Sequence, residues 1–106
     1  MDNFSDYRQH VGSSPAKFFK STLFESPRLL LALNCLEPGQ AQAAHEHSDQ
    51  DKFYFVVEGQ GEFSVGDETR QASPGVTVWA PAGVSHGVTN RGAERLVLLV
   101  GIAPWK

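Results

Sequence analysis

Apolar residues in this chain fall in short blocks, each closed by glycine, proline or a polar pair, and no block sustains a helical spacing. The blocks are Lys17–Glu25, Arg28–Leu36, Phe53–Val57, Glu62–Val65, Glu68–Ala72, Val76–Trp79, Ser85–Thr89 and Glu94–Ile102. Short runs rich in valine and aromatic residues, punctuated by turn residues, predict β-strands. Arg28–Leu36 carries leucines and alanine that would permit a short helix, but its length and the flanking Pro27 and Pro38 favour a strand buried on both faces. Gly66-Asp67 predicts a tight hairpin turn, and Glu94–Ile102, almost wholly apolar, predicts a central strand. Residues 1–16, polar and closed by Gly-Ser-Ser-Pro, read as an arm leading into a domain spanning 17–106. The pattern as a whole predicts an all-β sandwich or barrel.

Composition narrows the picture. A chain of 106 residues suffices for one core. A net charge of −3 with no Lys/Arg block argues against nucleic acid as a partner. The single cysteine, Cys35, offers no disulfide and fits a small core residue in a reducing compartment. The N-terminal MDNFSDYRQH lacks the order of a signal peptide, and the longest apolar run, Leu29–Leu33, is too short to cross a bilayer. The expectation is a cytoplasmic protein with no membrane partner.

The chemistry gathers on histidine. His45 and His47 stand one residue apart, so on an extended backbone both imidazoles leave the same face. Two imidazoles side by side make half of a transition-metal site, and His86, behind Pro81-Ala82-Gly83, is the candidate third ligand. The fourth histidine, His10, belongs to the polar arm and reads as a solvated loop residue.

Around these residues the chain resembles the cupins, small jelly-roll barrels defined by two motifs. Of the first, G-x5-H-x-H-x(3,4)-E-x6-G, the chain carries Gly39, His45, His47 and Gly59, with Lys52 at the glutamate position counted back from Gly59. Of the second, G-x5-P-x-G-x2-H-x3-N, it carries Gly75, Pro81, Gly83, His86 and Asn90. Turn chemistry alone accounts for the glycines, Pro81 and Asn90, whose value lies in aiming His86. The resemblance implies a single-domain cupin jelly-roll β-barrel, a double-stranded β-helix of the RmlC-like type. It also implies a divalent transition metal (iron, manganese, nickel or zinc) on His45, His47 and His86.

In most metal-binding cupins the glutamate adds a carboxylate to the ion, and here lysine replaces it. Strand parity puts Gln50, Lys52, Tyr54 and Val56 on one face, so Gln50 is the candidate fourth ligand through its amide oxygen. The shorter spacing of the motif brings Asp51 to the same position and would require a bulge. The Gly59 turn favours Lys52 inside, with Asp49 and Asp51 outside. Lys52 and Tyr54 are the candidates for acid–base or clamping roles, although a packed tyrosine with a bonded hydroxyl is the simpler reading of Tyr54. An ammonium beside an ion would suit a small anionic metabolite. Dioxygenase, isomerase or decarboxylase chemistry is compatible with such a centre, and a non-catalytic binding module is the alternative. Small cupins usually pair through edges or faces of their sheets, and Phe18, Phe19, Leu23, Phe24 and Trp105 supply apolar surface for a homodimer.

Overall fold

The computed structural model describes residues 2–106. Among them are nine strands: β1 (Phe19–Glu25), β2 (Leu30–Leu36), β3 (Ala41–His45), β4 (Asp51–Glu58), β5 (Gly61–Val65), β6 (Glu68–Ala72), β7 (Thr77–Ala80), β8 (His86–Thr89) and β9 (Leu96–Ala103). They form a five-stranded sheet in the order β1-β2-β9-β4-β7 and a four-stranded sheet in the order β3-β8-β5-β6. All pairings are antiparallel. This is the predicted all-β class, with sequence-distant strands lying side by side as in a jelly roll.

The helix-or-strand ambiguity at Arg28–Leu36 resolves as strand β2, which pairs with β1 on one side and β9 on the other. Strand β9 lies at the centre of its sheet, as its apolar run predicts. The main core lies between the sheets and includes Leu36, Tyr54, Val56, Phe63, Val88, Leu98 and Val100. A second cluster of Leu33, Cys35 and Val97 sits on the other face of β2 and β9, packed against Tyr7, Val11, Phe19 and Val57. Two-faced burial of β2 therefore depends on the N-terminal arm, which lies on the sheet as a cover. A 3-10 turn at Tyr7–Gln9 shapes it, the Tyr7 hydroxyl donates to Glu58 Oε2 at 2.8 Å, and Gln40 Nε2 donates to the Ser14 carbonyl at 2.7 Å.

Two connections fix the strand ends at the edge of the barrel away from the histidines, beyond Glu58 of β4 and Thr89 of β8. Gly59, at φ +79°, closes the β4–β5 turn against the backbone of Arg95, leaving no room for a Cβ. Asn90 is fully buried behind β8, where its amide nitrogen donates to the carbonyls of Leu36 and Glu94 and its oxygen accepts from Gly92 N–H. The tail folds back along β1, with Trp105 Nε1 donating to Glu25 Oε2 at 2.7 Å.

Candidate metal centre

His45 is the last residue of β3 and His86 the first of β8, and the two are direct cross-strand partners. His47 lies beyond the end of β3, so strand period alone does not bring the pair together as the sequence suggested. Its position is set by a backbone tie: Gly83 N–H donates to the His47 carbonyl at 2.7 Å. The ring centroids lie 4.4 Å (His45–His86), 4.9 Å (His45–His47) and 5.9 Å (His47–His86) apart. One nitrogen from each ring falls within 4.8 Å of the other two, a spacing one ion can bridge. The fourth histidine is elsewhere, with His10 Nδ1 3.3 Å from Ser21 Oγ.

The tautomers of two rings follow from their partners. His45 Nδ1 is 2.9 Å from the Ala43 carbonyl and His86 Nδ1 is 3.1 Å from the Val84 carbonyl. A carbonyl only accepts, so each Nδ1 carries the hydrogen and each Nε2 presents a lone pair. His86 Nε2 is buried and has no hydrogen-bond partner among the described residues. An orphaned acceptor of this kind costs about 1–3 kcal/mol unless something occupies its lone pair. The backbone bonds on Nδ1 are also the outer contacts that orient metal-bound imidazoles. Burial lowers the His47 and His86 pKa values, and the neighbouring charges of Lys52 and His45 add to the shift. Both rings are thereby held neutral, the state a metal requires. On donor type, orientation and protonation, the three residues fit a transition ion.

The surroundings settle the register of the central segment. Lys52 is 3% exposed and points inward with Tyr54 and Val56, while Asp51 is exposed. Asp51 Oδ1 accepts from Ala82 N–H at 2.9 Å, bracing from outside the turn that leads to His86. Gln50 precedes β4, and its amide nitrogen donates to the carbonyls of Pro104 and Trp105 at 3.0 and 3.1 Å. The parity that aligned Gln50 with Lys52 does not hold, because the strand begins only at Asp51.

A residue that sequence reasoning missed stands in the interior instead. Gln42 Oε1 accepts the Tyr54 hydroxyl and lies 3.3 Å from Lys52 Nζ. Gln42 and His45 are an odd number of positions apart, so regular alternation would place them on opposite faces. A register shift between them in the β3–β8 pairing turns both inward. No signal in the sequence marks that irregularity. Lys52 Nζ also lies over the Tyr54 ring, 4.8 Å from its centroid. Desolvation, with repulsion from Lys20 second, lowers the Lys52 pKa to about 8. Burial raises that of Tyr54, which keeps its hydroxyl protonated. A wide groove, about 640 Å³, runs between β6 and β7 beside Phe63, Arg70 and Trp79, and none of the three histidines lines it.

Comparison with known proteins bears on the fold and the family. The chain is 36% identical over 74 residues, 70% of either chain, to an uncharacterised protein of Streptomyces coelicolor. The structure of the TT1209 protein from Thermus thermophilus superposes with a TM-score of 0.94 at 40% identity, covering 97% of this chain and 98% of that one. A predicted oxalate decarboxylase from Thermotoga maritima shares the fold, with a TM-score of 0.76 at 24% identity over 79% of this chain and 77% of its own. The family model for the cupin domain matches residues 32–102, a span that holds both motifs and all three histidines, and the chain belongs to the cupin family.

Proposed function

We propose that the protein is a metal-binding cupin that takes a small anionic metabolite into its barrel, with His45, His47 and His86 holding a divalent iron, manganese, nickel or zinc ion. The observation that carries this reading is His86 Nε2, a buried lone pair without a partner among the described residues, in a ring packed beside two further imidazoles. When bound, such an ion supplies Lewis acidity or an oxygen-binding centre.

The chain's own residues would perform the remaining tasks. Lys52 would pair with a substrate carboxylate, since no ion pair within the described residues neutralises it. Tyr54 would hold a proton at its hydroxyl and, through Gln42, fix the lysine side chain. With no buried acid among the described residues, the interior is cationic, which favours anions over neutral ligands. In a low-dielectric cavity that preference is stronger than in water.

Calorimetric titration of chelator-treated protein with zinc and manganese tests the reading. One ion per chain is expected, and His86→Ala should weaken binding by more than the roughly 10–100-fold typical of an outer contact. A parent protein that takes up neither metal would overturn it. Catalysis would then be sought by following turnover of small carboxylic acids with the metal-loaded protein.

A further inference from the structure

Lys52 is a primary amine enclosed in the barrel without an acid beside it. The buried polar or charged side chains among the described residues are Asn34, Lys52, His86 and Asn90, with neither aspartate nor glutamate in the set. The hydrogen bond from Nζ runs to Gln42 Oε1, at a long 3.3 Å, and the Tyr54 hydroxyl already occupies that oxygen. Three N–H groups of an ammonium are poorly served by one shared acceptor and the face of one ring. The neutral amine suits this environment better, and it is the nucleophilic form. The lowered pKa agrees with the geometry. The Tyr54 ring beneath Nζ lies 6.2 Å from that of His86, so the amine is on the side of the core that carries the histidines, of which His45 and His47 are half-exposed.

We propose that Lys52 is a covalent carbonyl-binding residue, whose Nζ condenses with a small 2-oxo acid in the barrel to form an imine. The amine lone pair forms the C–N bond while the carbonyl π pair moves to oxygen. That oxygen then leaves as water with the two amine hydrogens, and a C=N bond remains. Nothing is oxidised or reduced. Tyr54 shares the Gln42 Oε1 acceptor with Nζ and presents its ring face to the amine, and so holds the nucleophile in place. A 2-oxo acid is preferred to a neutral ketone because its carboxylate is drawn by the ammonium form of Lys52, still the major one at neutral pH with a pKa of about 8, before the neutral fraction attacks. The proposal rests on the reading of this interior as a small-molecule site, but its chemistry needs no metal.

Chelator-treated protein is incubated with pyruvate and cyanoborohydride, then digested and mapped by mass spectrometry. The expected result is an adduct of pyruvate less one oxygen atom on Lys52, formed at least about tenfold faster than on exposed Lys17, Lys20 or Lys106. Acetone should label Lys52 more slowly than pyruvate, and urea-unfolded protein should lose the selectivity. Lys52→Arg, which keeps the charge but not the nucleophile, should carry no adduct at that position, with circular dichroism confirming its fold. Labelling of the exposed lysines with Lys52 unmodified, or equal rates at all of them, would overturn the proposal. Metal affinity measured in parallel separates the two readings. An adduct without metal binding removes the metal reading alone, and metal binding without an adduct removes this one alone.

Discussion

Gly83 donates its backbone N–H to the carbonyl oxygen of His47 at 2.7 Å, and this bond joins the two loops that carry the histidines. One loop follows β3 and the other precedes β8, so the segments that carry His47 and His86 are tied outside the regular ladder, while His45 and His86 are paired within it. Gly83 sits at φ +79°, where a residue with a Cβ is strained, yet a Cβ there would meet nothing within 4 Å. Gly83→Ala should therefore cost only the backbone strain, about 1–2 kcal/mol. Gly59→Ala meets the Arg95 carbonyl as well and should cost more than about 2 kcal/mol. Urea unfolding of both variants measures the difference, and equal losses would contradict the steric account.

Gln42 is the shared acceptor for Tyr54 and Lys52. Gln42→Leu leaves a buried hydroxyl and amine unpartnered, and a loss of about 1–3 kcal/mol is expected. Adding Tyr54→Phe to that variant should recover part of the loss, because the orphaned hydroxyl is removed. A double variant whose loss is the sum of the two single losses would show that the pair is not coupled.

Lys52 yields a pH dependence with a definite sign. Its pKa is about 8 in the folded chain against an ordinary value of 10.5, so between those values the unfolded state holds more protons. Stability must then rise with pH across that window, and the full cost is present below it. At about 1.36 kcal/mol per pKa unit the cost at neutral pH is about 3 kcal/mol. Metal-free Lys52→Met should be more stable than the parent at pH 7 by up to that amount, less the lost bond to Gln42. The gap should close toward pH 10. Denaturation at several pH values that shows a constant gap would sink this account.

Substitution at the same position tests the ligand set. Lys52→Glu places a carboxylate where most metal-binding cupins have one, and metal affinity should rise while affinity for small carboxylates falls. Lys52→Met removes the repulsion without adding a ligand, so its gain should be smaller. Titration of zinc and pyruvate into the three proteins measures both effects. A Glu variant that binds metal no better than the parent would show that position 52 does not face the ion.

The homodimer expected from the sequence is better tested at a different surface. Phe18, Phe19, Leu23 and Phe24 are half-buried within the chain, and Trp105 packs on its own core. Trp79 remains 55% exposed on the edge strand β7, with Val76 and Phe55 also exposed. An apolar edge of this kind favours pairing with a second copy. Light scattering should give a dimer mass for the parent and a monomer mass for Trp79→Lys. A monomeric parent at micromolar concentration would refute it.

Much of this protein is legible without coordinates because its determinants are local. Glycine and proline positions set the strand ends, and the alternation of Lys52, Tyr54 and Val56 set the inward face of β4. The spacing of His45, His47 and His86 marked the site because turn geometry is carried by neighbouring residues. Tertiary structure alone decided what depends on distant partners. The register shift in β3 that turns Gln42 inward has no residue signature, since it arises from pairing with β8. Gln50 leaves the interior because the C-terminal tail, far away in sequence, offers two carbonyls to its amide. The arm that read as a plain loop covers β2 and β9 because their outer apolar faces exist only once the sheet has formed. Local pattern specifies which way a side chain faces along a strand, but the group it meets there is supplied by chain brought from elsewhere.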